Sequence, residues 1–287
     1  MTQVFTSRTV LARGHAIAYH EAGPADGAVV VLLHGLASDS LTWDRAIGPL
    51  AQHGLRVLAV DLLGHGHSDK PAGAYLLDDF ADSLAAFLDA LDVPTATLCG
   101  HSLGGAVAVH FGFDHPSRVQ ALVLVSAGGL GREVHPVLRA ATLPVAPAML
   151  GLALRPRLRR WYGRPGLHRA LRLTPDNVTN LRRAARALGA DDGRAAFFAA
   201  LRGVIEPRGQ RGSFLEMQKL AAHVPTMLVW NEQDPVIPVA HARATHAQLP
   251  GSRLVIFPGS GHEPHRGKAQ QFADEVAAFL LSHRVGR

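Results

Sequence analysis

Residues 95–113 read TATLCGHSLGGAVAVHFGF, and the order of residue types in this stretch decides the fold. Thr95 to Cys99 is a short apolar run of the kind that forms a buried strand, and Ala106 to Phe113 is a helix-forming run. Between them Gly100-His101-Ser102-Leu103-Gly104, followed by Gly105, is a G-x-S-x-G pattern in strand–turn–helix context. Its glycines suit a turn too sharp for side chains at those positions. Such a turn lifts the serine hydroxyl out of the sheet, at the N-terminus of the following helix.

Outward from that turn, Ala28 to Leu33 (AVVVLL), Arg56 to Val60 (RVLAV) and Val119 to Val125 (VQALVLV) are further short apolar runs, each ending in a small or polar turn. Strands buried on both faces of a mainly parallel sheet have this appearance. Segments of helical period lie between them, clearest in Leu76 to Leu91, where Leu77, Phe80, Leu84, Phe87, Leu88 and Leu91 share one face. A second set follows later: strand Thr226 to Trp230, helix Val239 to Leu249, strand Arg253 to Phe257, and a closing helix from about Lys268 to His283. Two short alternating runs around Gly14 read as an N-terminal hairpin. The fold class expected is α/β, a doubly wound and mostly parallel sheet. Residues 1–127 and 213–287 would form the core, and residues 128–212 an inserted helical cap, with Val178 to Leu188 and Arg194 to Val204 as short Arg-rich helices.

A serine hydroxyl is a poor nucleophile until a base takes its proton, so Ser102 requires a histidine and an orienting acid. Asp234 stands four residues beyond the strand that ends at Trp230, and His262 follows the strand that ends at Phe257. Both lie in loops at strand C-terminal ends, where an open α/β sheet builds its site. Glu232, two residues from Asp234 in the same loop, is its rival for the acid role. An oxyanion needs two donors, and backbone N–H groups usually supply them. The expected pair is Leu103, next to the serine, and Leu36, in the His34-Gly35-Leu36 loop after the first core strand; Gly35 allows close approach and His34 braces the loop.

The chain holds 287 residues, 47% of them hydrophobic and 18% charged, a balance that suits one globular unit with a deep core. No run is long enough for a membrane span, and the N-terminal residues carry no apolar run that would mark a secretory signal. A cytoplasmic location is the expectation, and the single cysteine, Cys99, rules out an internal disulfide. The net charge of +6 is unevenly spread: residues 130 to 212 contain 16 Arg and no Lys against 5 acids, a net of +11, while the remainder carries 13 basic and 18 acidic residues, a net of −5. No nucleic-acid-binding motif accompanies the excess, so a nucleic-acid partner is not expected. The His65-Gly66-His67 spacing has no carboxylate or cysteine cluster beside it, and neither a metal nor a cofactor is expected.

Five ordered motifs give the chain its resemblance to the α/β-hydrolase superfamily over nearly its whole length. They are His34-Gly35 with Trp43 following, the run from Asp61 through Gly64-His65-Gly66-His67-Ser68-Asp69 to Pro71, the turn at Ser102, Asp234 with Pro235 and Pro238, and Gly261-His262. Within that superfamily it is similar to the capped esterases, lipases and carbon–carbon hydrolases. The resemblance favours Asp234 over Glu232 as the acid, makes the Asp61–Pro71 loop a structural turn, and gives the triad Ser102, Asp234, His262. Ser126 occupies the place where some relatives carry their acid, a role serine cannot fill. Two departures are Asn231, where many relatives have glycine, and the polar run Glu263-Pro264-His265-Arg266 after the histidine.

The implied function is hydrolysis of a carboxylic ester or lactone of a small, largely apolar substrate through an acyl-enzyme on Ser102. A carbon–carbon hydrolase, a thioesterase or a cofactor-free perhydrolase would use the same triad. A non-catalytic ligand-binding protein on this fold is the alternative from another class. Leu150 and Trp161 are candidate substrate-binding residues, within an apolar lid stretch that includes Leu143, Val145, Met149, Leu152 and Leu154, with Tyr162, Phe197 and Phe198 as further wall candidates. The expected partner is a small-molecule substrate, without stable membrane insertion; nothing in the sequence sets the oligomeric state.

Overall fold

The computed structural model describes residues 5–153, 183–212, 217, 220 and 223–283. An eight-stranded sheet runs through the middle of the molecule in the order β1-β2-β4-β3-β5-β6-β9-β10. The hairpin β1 (Thr6–Ala12) and β2 (His15–Ala22) turns at Arg13 and Gly14, both at positive φ, and pairs antiparallel to β4. From there β4 (Arg56–Val60), β3 (Val29–Leu33), β5 (Ala96–His101), β6 (Val119–Val125), β9 (Thr226–Gln233) and β10 (Arg253–Ser260) are all parallel. The apolar runs read from the sequence are these strands, with β5 carried two residues further, to His101, and β9 and β10 three further, to Gln233 and Ser260, so that Glu232 lies in β9 and Asp234 directly follows it.

Two hydrophobic layers cover the sheet, as strands apolar on both faces require. One face packs against α1 (Asp44–Gln52) and the closing helix, whose Phe272, Val276 and Phe279 meet Val30, Leu32, Val57 and Cys99. The other takes α2 (Leu77–Ala90) and α3 (Leu103–Asp114), where Phe80, Leu84, Phe87 and Leu88 of α2 face Val31, Leu33 and Leu98. Cys99 lies wholly within the first layer, and burial pushes its thiol pKa well up.

Between β6 and β9 the chain makes a long excursion. Its described parts include α4 (Pro136–Ala141), α5 (Ala146–Ala153), helical residues 183–187, α6 (Asp191–Val204) and a two-stranded ribbon of β7 (Ile205–Glu206) and β8 (Gly209–Gln210). The ribbon is a feature the sequence reading lacked, because each strand is only two residues long. The expected helix at 194–204 begins three residues earlier, with Asp191 and Asp192 in its first turn, where carboxylates favour a helix N-terminus. Beyond β9 come α7 (Val239–Gln248), α8 (Pro264–Gly267) and α9 (Ala269–Ser282). No helix among the described residues is long and apolar enough to cross a membrane.

Candidate active site

Ser102 sits between β5 and α3 at φ 54° and ψ −115°, a conformation that costs a non-glycine residue about 1–3 kcal/mol. The turn persists because its neighbours leave no space for anything else. A Cβ on Gly100 would lie 2.2 Å from the Gly104 carbonyl oxygen, one on Gly104 2.3 Å from that of Leu33, and one on Gly105 2.4 Å from the Ala127 methyl. Hydrogen bonds fix both ends, with Ser102 N–H donating to the Val125 carbonyl and Gly128 N–H to the Ser102 carbonyl.

The candidate acid and base come together from the ends of β9 and β10. His262 Nδ1 lies 2.8 Å from Asp234 Oδ2 and 3.1 Å from Oδ1. A carboxylate only accepts, so the ring proton is on Nδ1 and Nε2 carries the free lone pair. Nε2 has no hydrogen-bond partner among the described residues, and His262 and Ser102 line the same cavity. The Asp234 side chain is fully buried, and Oδ1 also accepts the Val236 and Ile237 N–H groups at 2.8 and 3.1 Å. Burial alone would raise its pKa; the hydrogen bond and charge of His262, with the Val236 N–H, outweigh that and hold it below the ordinary value. Glu232 points elsewhere, exposed and 3.9 Å from Arg243.

The backbone around the acid and the histidine is pinned by side chains the sequence reading had assigned no such role. Trp230 Nε1–H donates to the Ile237 carbonyl behind the acid loop. Asn231, the residue that departs from the family glycine, donates through Nδ2 to the Gly261 carbonyl at 2.9 Å. His101, read as a packing residue, donates from Nε2–H to the His262 carbonyl at 2.8 Å, and burial together with the neighbouring His262 lowers its pKa to about 4. The polar run after His262 is tied to the rest of the chain in the same way, and its Glu263 and Arg266 also line the cavity above Ser102. Buried Arg266 donates through Nη1 to the Thr42 and Leu41 carbonyls and to Asp44, while Thr42 Oγ1 donates to Glu263. From the inserted segment, Arg183 reaches the same Leu41 carbonyl and Asp44.

Leu36 and Leu103 both line the cavity, and neither N–H has an acceptor among the described residues. His34 braces the Leu36 loop as expected: its Nδ1–H donates to the Gly35 carbonyl and its Nε2 accepts the Leu62 N–H. A side chain at Gly35 would press on Ser102, with a Cβ 3.1 Å from the serine Cβ. The Asp61–Pro71 loop is a turn organised around the Asp61 carboxylate, which accepts the Ser40 and His67 N–H groups at 2.7 Å each. Within it His65 is buried against His34 and has its pKa lowered to about 3, so it is a neutral packing ring.

The cavity above Ser102 measures about 840 Å³. Its apolar wall includes Val134, Val137, Leu138, Val204, Ile205 and Val236. That wall differs from the one expected. Leu150 packs half-buried against the core and is not among the lining residues, and Phe197 and Phe198 are core. Leu143, Val145, Met149 and Leu152 face outward. The cause lies in α5, which is apolar on every side, so that periodicity gave no sign of which side faces in; Ala146 and Leu150 take the inner side. Trp161, Tyr162 and Leu154 lie outside the described residues.

Comparison with known proteins agrees with this architecture. An uncharacterized protein of Mycobacterium tuberculosis is 38% identical over 278 residues, which span 95% of this chain and 80% of that protein. The dihydrolipoyllysine-residue acetyltransferase component of the acetoin cleaving system of Pseudomonas putida is 29% identical over 94% of this chain and 68% of its own. Among solved structures, a serine hydrolase involved in carbazole degradation (the CarC enzyme) superposes with a TM-score of 0.75 at 26% identity, covering 96% of this chain and 99% of that one. A family model described as alpha/beta hydrolase fold matches residues 28–268, a span that holds Ser102, Asp234 and His262. The chain therefore belongs to the α/β-hydrolase family.

Proposed function

We propose that the protein is a serine hydrolase that cleaves a carboxylic ester or lactone of a small, largely apolar substrate through an acyl-enzyme on Ser102. The observation that carries this reading is the His262–Asp234 pair, whose unpartnered Nε2 shares a cavity with a serine held at positive φ. His262 Nε2 takes the Ser102 hydroxyl proton as the oxygen attacks the substrate carbonyl, and the negative charge passes to the carbonyl oxygen. The N–H groups of Leu36 and Leu103 receive that charge. The imidazolium, steadied by Asp234, returns the proton to the leaving alkoxide, and the ester bond breaks. Water, deprotonated by the same Nε2, then attacks the acyl-enzyme and releases the acid and Ser102.

The mostly apolar wall around Val137, Leu138 and Val204 supports an apolar acyl or alkyl group. Similarity to the CarC enzyme, a serine hydrolase, supports the nucleophile assignment. The test is labelling by a fluorophosphonate probe, followed by turnover of ester, lactone, thioester and β-diketone panels. Wild type should be labelled and should turn over esters or lactones fastest; Ser102→Ala should do neither while melting at or above the wild-type temperature. Wild-type activity in Ser102→Ala would end the proposal.

A further inference from the structure

The helix α5 has no polar side chain anywhere on its surface, a composition that normally belongs to a helix buried all round. Only one side is buried. Ala146 and Leu150 pack against the core, whereas Met149 and Leu152, three residues apart, are 66% and 53% exposed. The patch continues through Val145 and Leu143 to Val137 of α4, which is 65% exposed and also lines the cavity above Ser102. Exposed apolar groups scattered singly need no explanation, but five large ones between Val137 and Leu152, the first of them lining the cavity, do.

The surroundings of this row are cationic. Exposed Arg139 lies on α4 and donates to the Pro207 carbonyl, exposed Arg202 donates to the Thr142 carbonyl beside Leu143, and Arg194 comes close to Gly151 next to Leu152. No acidic residue occurs in the sequence between Glu133 and Asp176. Arg194 is paired with Asp191, but among the described residues Arg139 and Arg202 donate only to backbone carbonyls, and apolar side chains bordered by such arginines match the boundary of an anionic bilayer, where methyl groups enter the acyl region and guanidinium groups remain among phosphates. A second protein surface would need acids set opposite each arginine and would gain nothing from the continuity with the cavity.

We propose that the α4–α5 face docks the protein peripherally on an anionic phospholipid surface, with Val137, Leu143, Val145, Met149 and Leu152 dipping into the interface. Docking is independent of the chemistry assigned to Ser102. Its consequence, that substrate enters from the bilayer past Val137, rests on that assignment.

The experiment is vesicle flotation of wild type, Ser102→Ala and the double variant Met149→Glu/Leu152→Glu, with phosphatidylcholine vesicles and with equimolar phosphatidylcholine–phosphatidylglycerol vesicles, at low and high salt. Wild type and Ser102→Ala should partition alike, at least tenfold more strongly onto the phosphatidylglycerol vesicles, with binding falling severalfold at high salt. The double variant should lose at least tenfold in partitioning at an unchanged Tm. The proposal fails if wild type binds neither vesicle, if it binds both equally, or if the double variant floats like wild type. A large drop in the Tm of the double variant would mean that protein covers the face and would also refute it, as would a wild-type dimer that the double variant splits. Loss of labelling at Ser102 with flotation intact would overturn the catalytic reading and leave the docking face standing.

Discussion

Acid should destabilise this protein earlier and more steeply than its carboxylates alone would require, because buried histidines are held neutral in the folded state. Burial lowers His65 to about 3, with His34 adding to the effect, and His101 to about 4, with His262 adding; both are 4% exposed. In the unfolded chain each would protonate near 6.5. The unfolded state therefore binds more protons between these values, and stability is complete above about pH 6.5 and is lost as the pH falls toward the folded values. Integrated from pH 6 to pH 5, each ring contributes a loss of about 1 kcal/mol, or about 2 kcal/mol for the two. Buried His34 and His265, also lowered by desolvation, act in the same direction. Asp61 and Asp234, whose pKa values are lowered too, add their losses only at still lower pH.

Urea unfolding at pH 5 and 6, followed by the fluorescence of the fully buried Trp43 and Trp230, reads this directly. Wild type should lose about 2 kcal/mol across that unit of pH, a large share of a typical margin of about 5–15 kcal/mol. His65→Asn and His101→Gln should each recover about 1 kcal/mol of the pH dependence, whatever they do to stability at neutral pH. A wild-type loss under about 1 kcal/mol, or variants with an undiminished slope, would refute the assignment of these rings as neutral core groups.

Asp234→Asn should lower kcat by about 10⁴ through loss of the productive histidine tautomer, while Glu232→Gln should change it less than about twofold; steady-state kinetics on the best ester decide, and the reverse ranking transfers the acid role. Gly104→Ala would set a methyl 2.3 Å from the Leu33 carbonyl oxygen, which cannot retreat from its sheet, and should cost about 3 kcal/mol or more by denaturant unfolding; a wild-type midpoint would show the turn to be looser than described. Leu138→Trp should shift preference among p-nitrophenyl esters toward shorter acyl chains by at least about tenfold, whereas Leu150→Ala should lower stability and leave that preference alone; the opposite pattern would move the cavity wall back to α5.

The sheet was legible because buried parallel strands announce themselves as short apolar runs, and the serine turn because only glycine fits where backbone meets backbone. Asp234 and His262 were legible for a related reason: loops at strand C-terminal ends carry chemistry, and His262 is the first histidine past the last strand. What supports them was not. The hydrogen bonds from His101 to the His262 carbonyl and from Asn231 to the Gly261 carbonyl join residues 161 and 30 positions apart, and no local pattern encodes such a pairing. The direction of α5 was illegible for the opposite reason, since a helix apolar on all sides has no phase to read. The Glu263–Arg266 run stood out only as a polar departure from the family, and sequence distance concealed that Arg266 is buried with two carbonyls and Asp44 as partners.

Strand β6 ends at Val125 and β9 begins at Thr226, yet the two are hydrogen-bonded neighbours through four consecutive registered pairs from Leu122↔Thr226 to Val125↔Val229. Because the pair is parallel, the chain leaves at the C-terminal end of the sheet and must cross back to the other end before β9, so the returning stretch is fixed in reach while the length of what precedes it has little leverage on the strands. The entropic cost of closing a loop rises only with the logarithm of its length, about 2 kcal/mol for a tenfold extension. Insertions, deletions or wholesale exchange of the segment over the cavity can accordingly be inherited without moving Ser102 relative to His262. Under the proposed function, the reacting groups and the residues of the excursion that line the cavity are then free to diverge at different rates.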